Sequence, residues 1–202
     1  MWLYVALTLV IGYLLGNLNG AVCVSHMLKD DVRTHGSGNA GLTNFIRSYG
    51  HYALLVIAVD ALKAVFACLI GGLLLKDAGM QLVGKTLGGL AVMLGHIFPV
   101  FLGFHGGKGI LSGFFVALMV DWRIAVLILA VFAVAYLLTG YVSLGSVLAA
   151  AGFGAGFCIF HHDNLAVMLC GVFMGLLAIF MHRQNIARLI KGEERKTNLF
   201  KK

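Results

Sequence analysis

Residues 25–51 contain glycines and side chains that could bind a phosphate group. Three glycines within residues 36–41 alternate with short hydroxyl and amide side chains. Backbone of this kind can turn several N–H groups toward one anion. Arg33 and Arg47 flank these glycines and add forked cations suited to phosphate. An ordinary flexible loop is the alternative, and the density of hydrogen-bond donors favours phosphate binding over it.

The second polar segment, residues 95–109, ends in a glycine-rich turn that holds one lysine. Gly106-Gly107-Lys108-Gly109 resembles a phosphate-binding turn that precedes a helix N-terminus, where the helix dipole favours an anion. It is not a nucleotide-binding P-loop, because that motif requires glycine at 102 and Ser or Thr at 109. The chain has Leu102 and Gly109, so nucleotide hydrolysis is not supported. A tight turn with Lys108 reaching the membrane surface is the alternative.

The third polar segment, residues 182–196, is a basic tail with a candidate ligand-binding face. At helical spacing His182 shares a face with Asn185, and Asn185 shares one with Arg188. This row could meet a polar ligand at the membrane surface. On its own, the segment is more typical of a basic amphipathic tail held by anionic lipid.

Long apolar stretches must position these three segments. The 202 residues are 60% hydrophobic and only 11% charged, so lipid must solvate much of the surface. The pattern predicts an all-α polytopic integral membrane protein with about seven transmembrane helices and a single domain over residues 1–202. The predicted spans lie near residues 2–24, 53–75, 80–101, 109–121, 123–140, 143–160 and 164–181. The fourth is short for a span.

The charge distribution predicts the orientation and the class of partner. Connections after odd-numbered spans carry most of the Lys and Arg residues, so the N-terminus is expected outside and the C-terminus in the cytoplasm. The three polar segments follow odd-numbered spans and are therefore expected on the cytoplasmic face. The net charge of +7 flanks apolar runs without a basic, aromatic-rich stripe. Anionic lipid and anionic substrate are therefore favoured over nucleic acid.

Two further features concern residues inside the predicted spans. Asp60 and Lys63 are three residues apart and are expected to pair inside the helix bundle. The four cysteines lie far apart in apolar runs, so they predict neither a disulfide set nor a metal site.

Taken in order, the three segments resemble the acyl-phosphate-dependent glycerol-3-phosphate acyltransferases, small polytopic enzymes of bacterial phospholipid synthesis. The resemblance rests on GSGNAGLTNFIR at 36–47, GHIFPVFLGFHGGKG at 95–109 and HRQNIARLIKGEE at 182–194. It implies seven transmembrane helices in the bacterial cytoplasmic (inner) membrane, an active site facing the cytoplasm, and no metal or other cofactor.

The resemblance also implies roles for particular residues. The implied catalytic residues are Ser37, Arg47, Lys108, His182 and Asn185. The residues implied to bind substrate are Asn39, Gly41, Thr43, Asn44, His96, Gly103, Gly106, Gly107, Gly109, Arg188 and Glu194.

The implied reaction transfers the acyl group of acyl phosphate to the 1-hydroxyl of glycerol 3-phosphate, giving lysophosphatidic acid and phosphate. Arg47 and Ser37 are expected to hold the acyl phosphate, and Lys108 with the glycine backbone is expected to hold glycerol 3-phosphate. His182 and Asn185 are expected to position the attacking hydroxyl. The base is left open between His182 and the oxygens of acyl phosphate. A covalent intermediate on Ser37 is disfavoured, because no Ser–base–carboxylate arrangement is readable.

Three alternatives compete with this interpretation. A transporter for a phosphorylated or other anionic solute would share the hydropathy, but such proteins place polar groups near the midplane and often contain internal repeats. His26 and Asp31 fit the short HxxxxD pattern of another glycerolipid acyltransferase class, and a two-residue pattern arises easily by chance. A membrane scaffold without chemistry leaves the glycine-rich loop unexplained. The sequence assigns no oligomeric state.

Overall fold

The computed structural model of the chain describes residues 1–196, and all the regular secondary structure in that range is helical. The all-α class predicted from the sequence is therefore confirmed. Contacts divide the chain into two compact units, Met1–Val120 and the residues from Asp121 onward. The single domain expected over residues 1–202 stays a prediction.

The first unit is built around three long helices that contact one another, α1, α4 and α5. Its six α-helices are α1 (Trp2–Gly16), α2 (Gly20–Met27), α3 (Leu42–Tyr49), α4 (Ala53–Leu74), α5 (Gln81–Ile97) and α6 (Ile110–Val120). Gly71 of α4 and Gly84 of α5 bring the two backbones into direct contact, where a Cβ on either residue would overlap the other's carbonyl. In lipid, close approach of this kind replaces the hydrophobic effect as the source of helix association.

The first predicted span is broken between α1 and α2, and charged residues of α4 stabilise the break. The Lys63 ammonium donates to the Leu18 carbonyl at 2.9 Å and lies 3.5 Å from that of Gly16. The Asp60 carboxylate accepts from the Gly20 N–H at 3.2 Å and pairs with Lys63 at 2.6 Å. Irregular backbone at membrane depth needs such partners, because lipid offers none. The predicted pairing of Asp60 with Lys63 is confirmed. The pair binds backbone groups that the break between α1 and α2 leaves without helical partners.

The second unit contains three long helices and one short one. They are α7 (Trp122–Thr139), α8 (Val142–Phe160), α9 (Leu165–Met181) and α10 (Arg183–Ile190). Asp121 begins α7 by accepting from the Arg123 N–H at 2.9 Å, as an N-cap residue does. The chain bends by 54° between α9 and α10, at His182.

Several helices are long and apolar enough to cross a membrane. Five segments within residues 1–196 pass on length and hydropathy, and the bent pair of α9 and α10 would make a sixth. The five are Trp2–Met27, Leu42–Leu74, Gln81–Leu102, Trp122–Thr139 and Val142–Phe160. The fourth predicted span became α6, whose 11 residues reach only about 16 Å against a hydrocarbon core of about 30 Å. The count of seven spans and the outward N-terminus stay predictions.

Candidate active site

The loop of the first motif is organised around one buried side chain, Asn44 of α3. Its carbonyl oxygen accepts from the Ser37 N–H at 3.0 Å. Its amide nitrogen donates to the carbonyls of Val32 and His35, both at 3.0 Å, and of Asn39 at 3.2 Å. Both polar atoms of Asn44 therefore serve the loop's own backbone and hold Ser37 at its exposed tip. The substrate contact expected of Asn44 stays a prediction.

The two arginines of the first motif have different surroundings. The Arg33 guanidinium binds Asp31 through two nitrogens, with Nη2 at 2.7 Å and Nε at 3.0 Å. This pairing holds the pKa of Asp31 at about 2. His26 approaches the same carboxylate only at 3.8 Å, so the HxxxxD pattern does not form a dedicated His–Asp pair. Arg33 is thus committed to Asp31. Arg47 lies in the last turn of α3 and is exposed.

The glycine-rich turn of the second motif folds back onto the end of α5. The Gly106 N–H donates to the Ile97 carbonyl at 3.2 Å, and the Gly107 N–H donates to the His96 carbonyl at 3.1 Å. A Cβ on Gly107 would overlap the His96 imidazole and lie 2.9 Å from the Ala40 carbonyl. Glycine at 107 is therefore required by close approach. Helix α6 begins directly after Gly109, which confirms the helix expected after this turn.

The first and second motifs meet where Ala40 lies beside Gly107. The Asn19 amide donates to the Ala40 carbonyl at 3.0 Å. The same side chain caps α2 by accepting from the Val22 N–H at 3.1 Å. The break in the first span therefore supports the junction of the two motifs. Sequence reasoning missed Asn19, although an Asn-Leu-Asn step inside an apolar run was the available signal.

His96 connects this junction to the charged pair inside the bundle. The residue is only 3% exposed, and its Nδ1 lies 2.7 Å from the Lys63 ammonium nitrogen. The Asp60 carboxylate is 3.7 Å from the same Nδ1. The other ring nitrogen, Nε2, lies against Gly107.

The third motif, in the second unit, closes on itself through Glu194. The Glu194 carboxylate accepts from the Asn185 amide at 2.9 Å and from Arg188 Nε at 2.6 Å. Burial raises the pKa of Glu194, but these donors outweigh burial and leave the pKa below its usual value. The predicted common face of Asn185 and Arg188 is confirmed, because both contact one carboxylate. His182 is buried, and its Nδ1 lies 2.8 Å from the Ala178 carbonyl.

The remaining predicted site residues differ in exposure. Gly103 is exposed, whereas Asn39, Gly41, Thr43 and Lys108 are half-buried. Within the first unit, the structure brings the first two motifs together. The expected convergence of all three motifs stays a prediction.

Comparison with known proteins gives a consistent result. The family model described as glycerol-3-phosphate acyltransferase matches residues 6–192. A glycerol-3-phosphate acyltransferase of Thermoanaerobacter pseudethanolicus is 40% identical over 196 residues, which are 96% of each chain. A protein of the same name from Clostridioides difficile is 39% identical over 191 residues, 93% of this chain and 92% of the relative.

Solved structures agree with the sequence comparison. The fold matches crystal structures of PlsY (YgiH), described as an integral membrane glycerol 3-phosphate acyltransferase. The glycerol 3-phosphate form aligns with a TM-score of 0.85 and 33% identity, covering 98% of this chain and 99% of that one. The lysophosphatidic acid form aligns with a TM-score of 0.82 and 33% identity, covering 96% and 95%.

Proposed function

Because this chain belongs to the glycerol-3-phosphate acyltransferase family, we propose that it transfers the acyl group of acyl phosphate to the 1-hydroxyl of glycerol 3-phosphate. The products are lysophosphatidic acid and inorganic phosphate. Family membership supplies the enzyme class and the acceptor. Acyl phosphate as the donor and the 1-hydroxyl as the reacting group are the parts that need their own test.

The observation that carries this proposal is the junction of the first two motifs. The glycine turn at 106–109 contacts the first-motif loop at Ala40 and runs directly into α6. The Gly106 and Gly107 N–H groups donate to the end of α5, so the other donors near this turn are the Lys108 side chain and the N–H groups at the α6 N-terminus, a combination suited to a phosphate monoester. One relative of known structure, PlsY (YgiH), is described in a glycerol 3-phosphate form and in a lysophosphatidic acid form. We assign glycerol 3-phosphate to this turn.

Acyl phosphate already contains a good leaving group, so the protein has chiefly to orient reactants and stabilise charge. The hydroxyl oxygen attacks the acyl carbon, the bond from that carbon to the phosphate oxygen breaks, and phosphate leaves with the electron pair. We assign Ser37 and Arg47 to the phosphate of the donor. Asn44 of α3 holds Ser37 at the exposed tip of the loop, and Arg47 is exposed in the last turn of α3. Neither assignment requires an acylated serine.

One hydrogen-bond contact of His182 bears on its proposed role as the base. Its Nδ1 faces a backbone carbonyl at 2.8 Å, which can only accept, so the proton of a neutral His182 belongs on Nδ1. Nε2 is then the basic nitrogen of this imidazole. We propose His182 as the proton acceptor, with an oxygen of the departing phosphate as the competing acceptor.

We also propose that the enzyme lies in the bacterial cytoplasmic membrane with its active site facing the cytoplasm. The positive charge of the connections that contain the motifs supports this orientation. Vesicles in which the protein has a single orientation would test this proposal, with membrane-impermeant glycerol 3-phosphate added outside them. Product should form in vesicles that expose the cytoplasmic face and not in vesicles of the opposite orientation.

The donor is tested by offering acyl phosphate and acyl-coenzyme A separately to the protein in lipid, without ATP or added metal. We expect lysophosphatidic acid from acyl phosphate alone. Lys108→Ala should raise KM for glycerol 3-phosphate, and Arg47→Ala should raise KM for acyl phosphate. Lys76→Ala is the matched control, since Lys76 is exposed in the turn after α4. Formation of lysophosphatidic acid from acyl-coenzyme A but not from acyl phosphate would refute the donor assignment. Uptake of an anionic solute without formation of lysophosphatidic acid would indicate a transporter.

A further inference from the structure

A buried chain of three ionisable side chains runs from α4 to the glycine turn. Asp60 Oδ1 lies 2.6 Å from Lys63 Nζ, which in turn lies 2.7 Å from His96 Nδ1. The three residues are at most 3% exposed. An ion pair of Asp60 and Lys63 that only bound the backbone between α1 and α2 would need no histidine. The contact of Lys63 with His96 therefore needs a separate explanation.

The partners of Lys63 determine where the proton of His96 lies. An ammonium group has three protons to donate. Asp60 and the Leu18 carbonyl, at 2.6 and 2.9 Å, are acceptors only and take two of them. Of the two remaining neighbours, His96 Nδ1 at 2.7 Å is much closer than the Gly16 carbonyl at 3.5 Å, so the third proton points to His96 Nδ1, which must offer its lone pair. A neutral imidazole with an unprotonated Nδ1 carries its proton on Nε2.

The protonated Nε2 lies against the second motif. A Cβ placed on Gly107 would overlap this nitrogen, so Nε2 lies directly beside the backbone of the glycine turn. The neighbouring Gly107 N–H donates to the His96 carbonyl, which fixes the turn relative to the ring. An N–H donor at this position suits an anion bound to the turn and cannot act as a base.

We propose that Lys63 is a positioning residue for the transfer reaction. Its ammonium, held by Asp60, keeps His96 in the Nε2–H form, and His96 then donates to the phosphate of glycerol 3-phosphate at the second motif. The substrate part of this inference rests on the proposed function, whereas the tautomer of His96 does not.

The tautomer can be read directly by nitrogen NMR of the protein in lipid, labelled with ¹⁵N-histidine. A His96→Gln spectrum assigns the His96 signals among the eight histidines. We expect a proton coupled to Nε2 and none coupled to Nδ1. Addition of glycerol 3-phosphate should shift the Nε2–H signal, and addition of glycerol should not.

Two variants separate positioning from structural support. Lys63→Met removes the donor but leaves Asp60 charged and buried, so this variant is expected to fold poorly. Asp60→Asn with Lys63→Met removes both charges and keeps an acceptor for the Gly20 N–H, but the Leu18 carbonyl loses its donor. This double variant should therefore unfold at a lower temperature than wild type and still fold better than Lys63→Met. In this double variant the proton of His96 should move to Nδ1, facing the residue 60 amide oxygen. KM for glycerol 3-phosphate should rise about 10- to 100-fold, the effect of losing one hydrogen bond to a charged group.

The matched control is Lys85→Met, which removes a half-buried lysine elsewhere on α5. It should leave both the tautomer and KM at wild-type values. A proton on Nδ1 in the wild-type protein would overturn the proposal, as would a double variant that keeps Nε2–H and the wild-type KM. Absence of acyl transfer with the expected tautomer would instead refute only the proposed function.

Discussion

Gly107→Ala places one methyl group at the junction of the first two motifs. The new Cβ would overlap the His96 imidazole and lie 2.9 Å from the Ala40 carbonyl. Lys63 Nζ lies 2.7 Å from His96 Nδ1, whereas Gly107 lies beside the other ring nitrogen, so the ring has no room to move away from the new methyl group. The turn must therefore move, which weakens the N–H bonds of Gly106 and Gly107 to the end of α5.

The free-energy cost of the substitution can be estimated in two ways. Overpacking a methylene costs about 1–3 kcal/mol, and losing two ordinary hydrogen bonds costs a similar amount. Because this turn is the proposed binding site for glycerol 3-phosphate, we expect the cost to appear in the affinity for that substrate. At 1.4 kcal/mol per tenfold, KM for glycerol 3-phosphate should rise about 5- to 150-fold. KM for acyl phosphate should change little.

The assay measures initial rates against each substrate in turn, with thermal unfolding in lipid as the check on folding. Gly152→Ala is the matched control, because its added Cβ would meet Ile128 and Val131 only at 3.8 and 3.9 Å. That control should retain wild-type kinetics. If Gly107→Ala has a KM for glycerol 3-phosphate within twofold of wild type, the close packing of the turn on α5 is refuted.

Three further variants test other parts of the structure. Asn44→Ala should lower kcat/KM about tenfold or more, since it removes the amide that holds the first-motif loop; unchanged kinetics would contradict that role. Glu194→Gln keeps an acceptor for Asn185 but loses the charge facing Arg188, so the unfolding temperature and kcat should both fall, whereas exposed Glu193→Gln should change neither. Asp31→Asn tests the carboxylate whose pKa is lowered to about 2: a depressed pKa stabilises the fold above the unfolded value of 3.8 and loses that effect as pH falls toward 2. The variant's lower unfolding temperature should therefore be evident at neutral pH and disappear near pH 2, and a gap independent of pH would contradict the pairing.

The long helices could be predicted closely because apolar length alone decides them. The span expected near 53–75 is α4, Ala53–Leu74, and the span expected near 143–160 is α8, Val142–Phe160. Lipid requires every backbone group to be satisfied inside the segment, so a long apolar run has few alternatives to a helix. The same reasoning found the Asp60–Lys63 pair, since two opposite charges on one face rarely stay apart in a bundle.

The break after α1 and the interior of the motifs could not be predicted in this way. Two asparagines barely change the average hydropathy of the first run, yet Asn19 caps a new helix and supports Ala40. Residue type shows that Asn44 can donate and accept, but its partners are set by the fold of the loop. For Glu194, nine residues beyond Asn185, the turn that brings the carboxylate back onto α10 is a tertiary feature.

Phosphorus NMR of the working reaction is the most direct test of the central claim. Acyl phosphate, glycerol 3-phosphate, lysophosphatidic acid and inorganic phosphate each contain phosphorus, so one sample of protein in lipid reports all four. We expect both substrates to decline together and both products to grow in a one-to-one ratio, with acylation at the 1-hydroxyl. Growth of inorganic phosphate without lysophosphatidic acid would show a hydrolase, and static signals from well-folded protein would contradict acyl transfer from this donor.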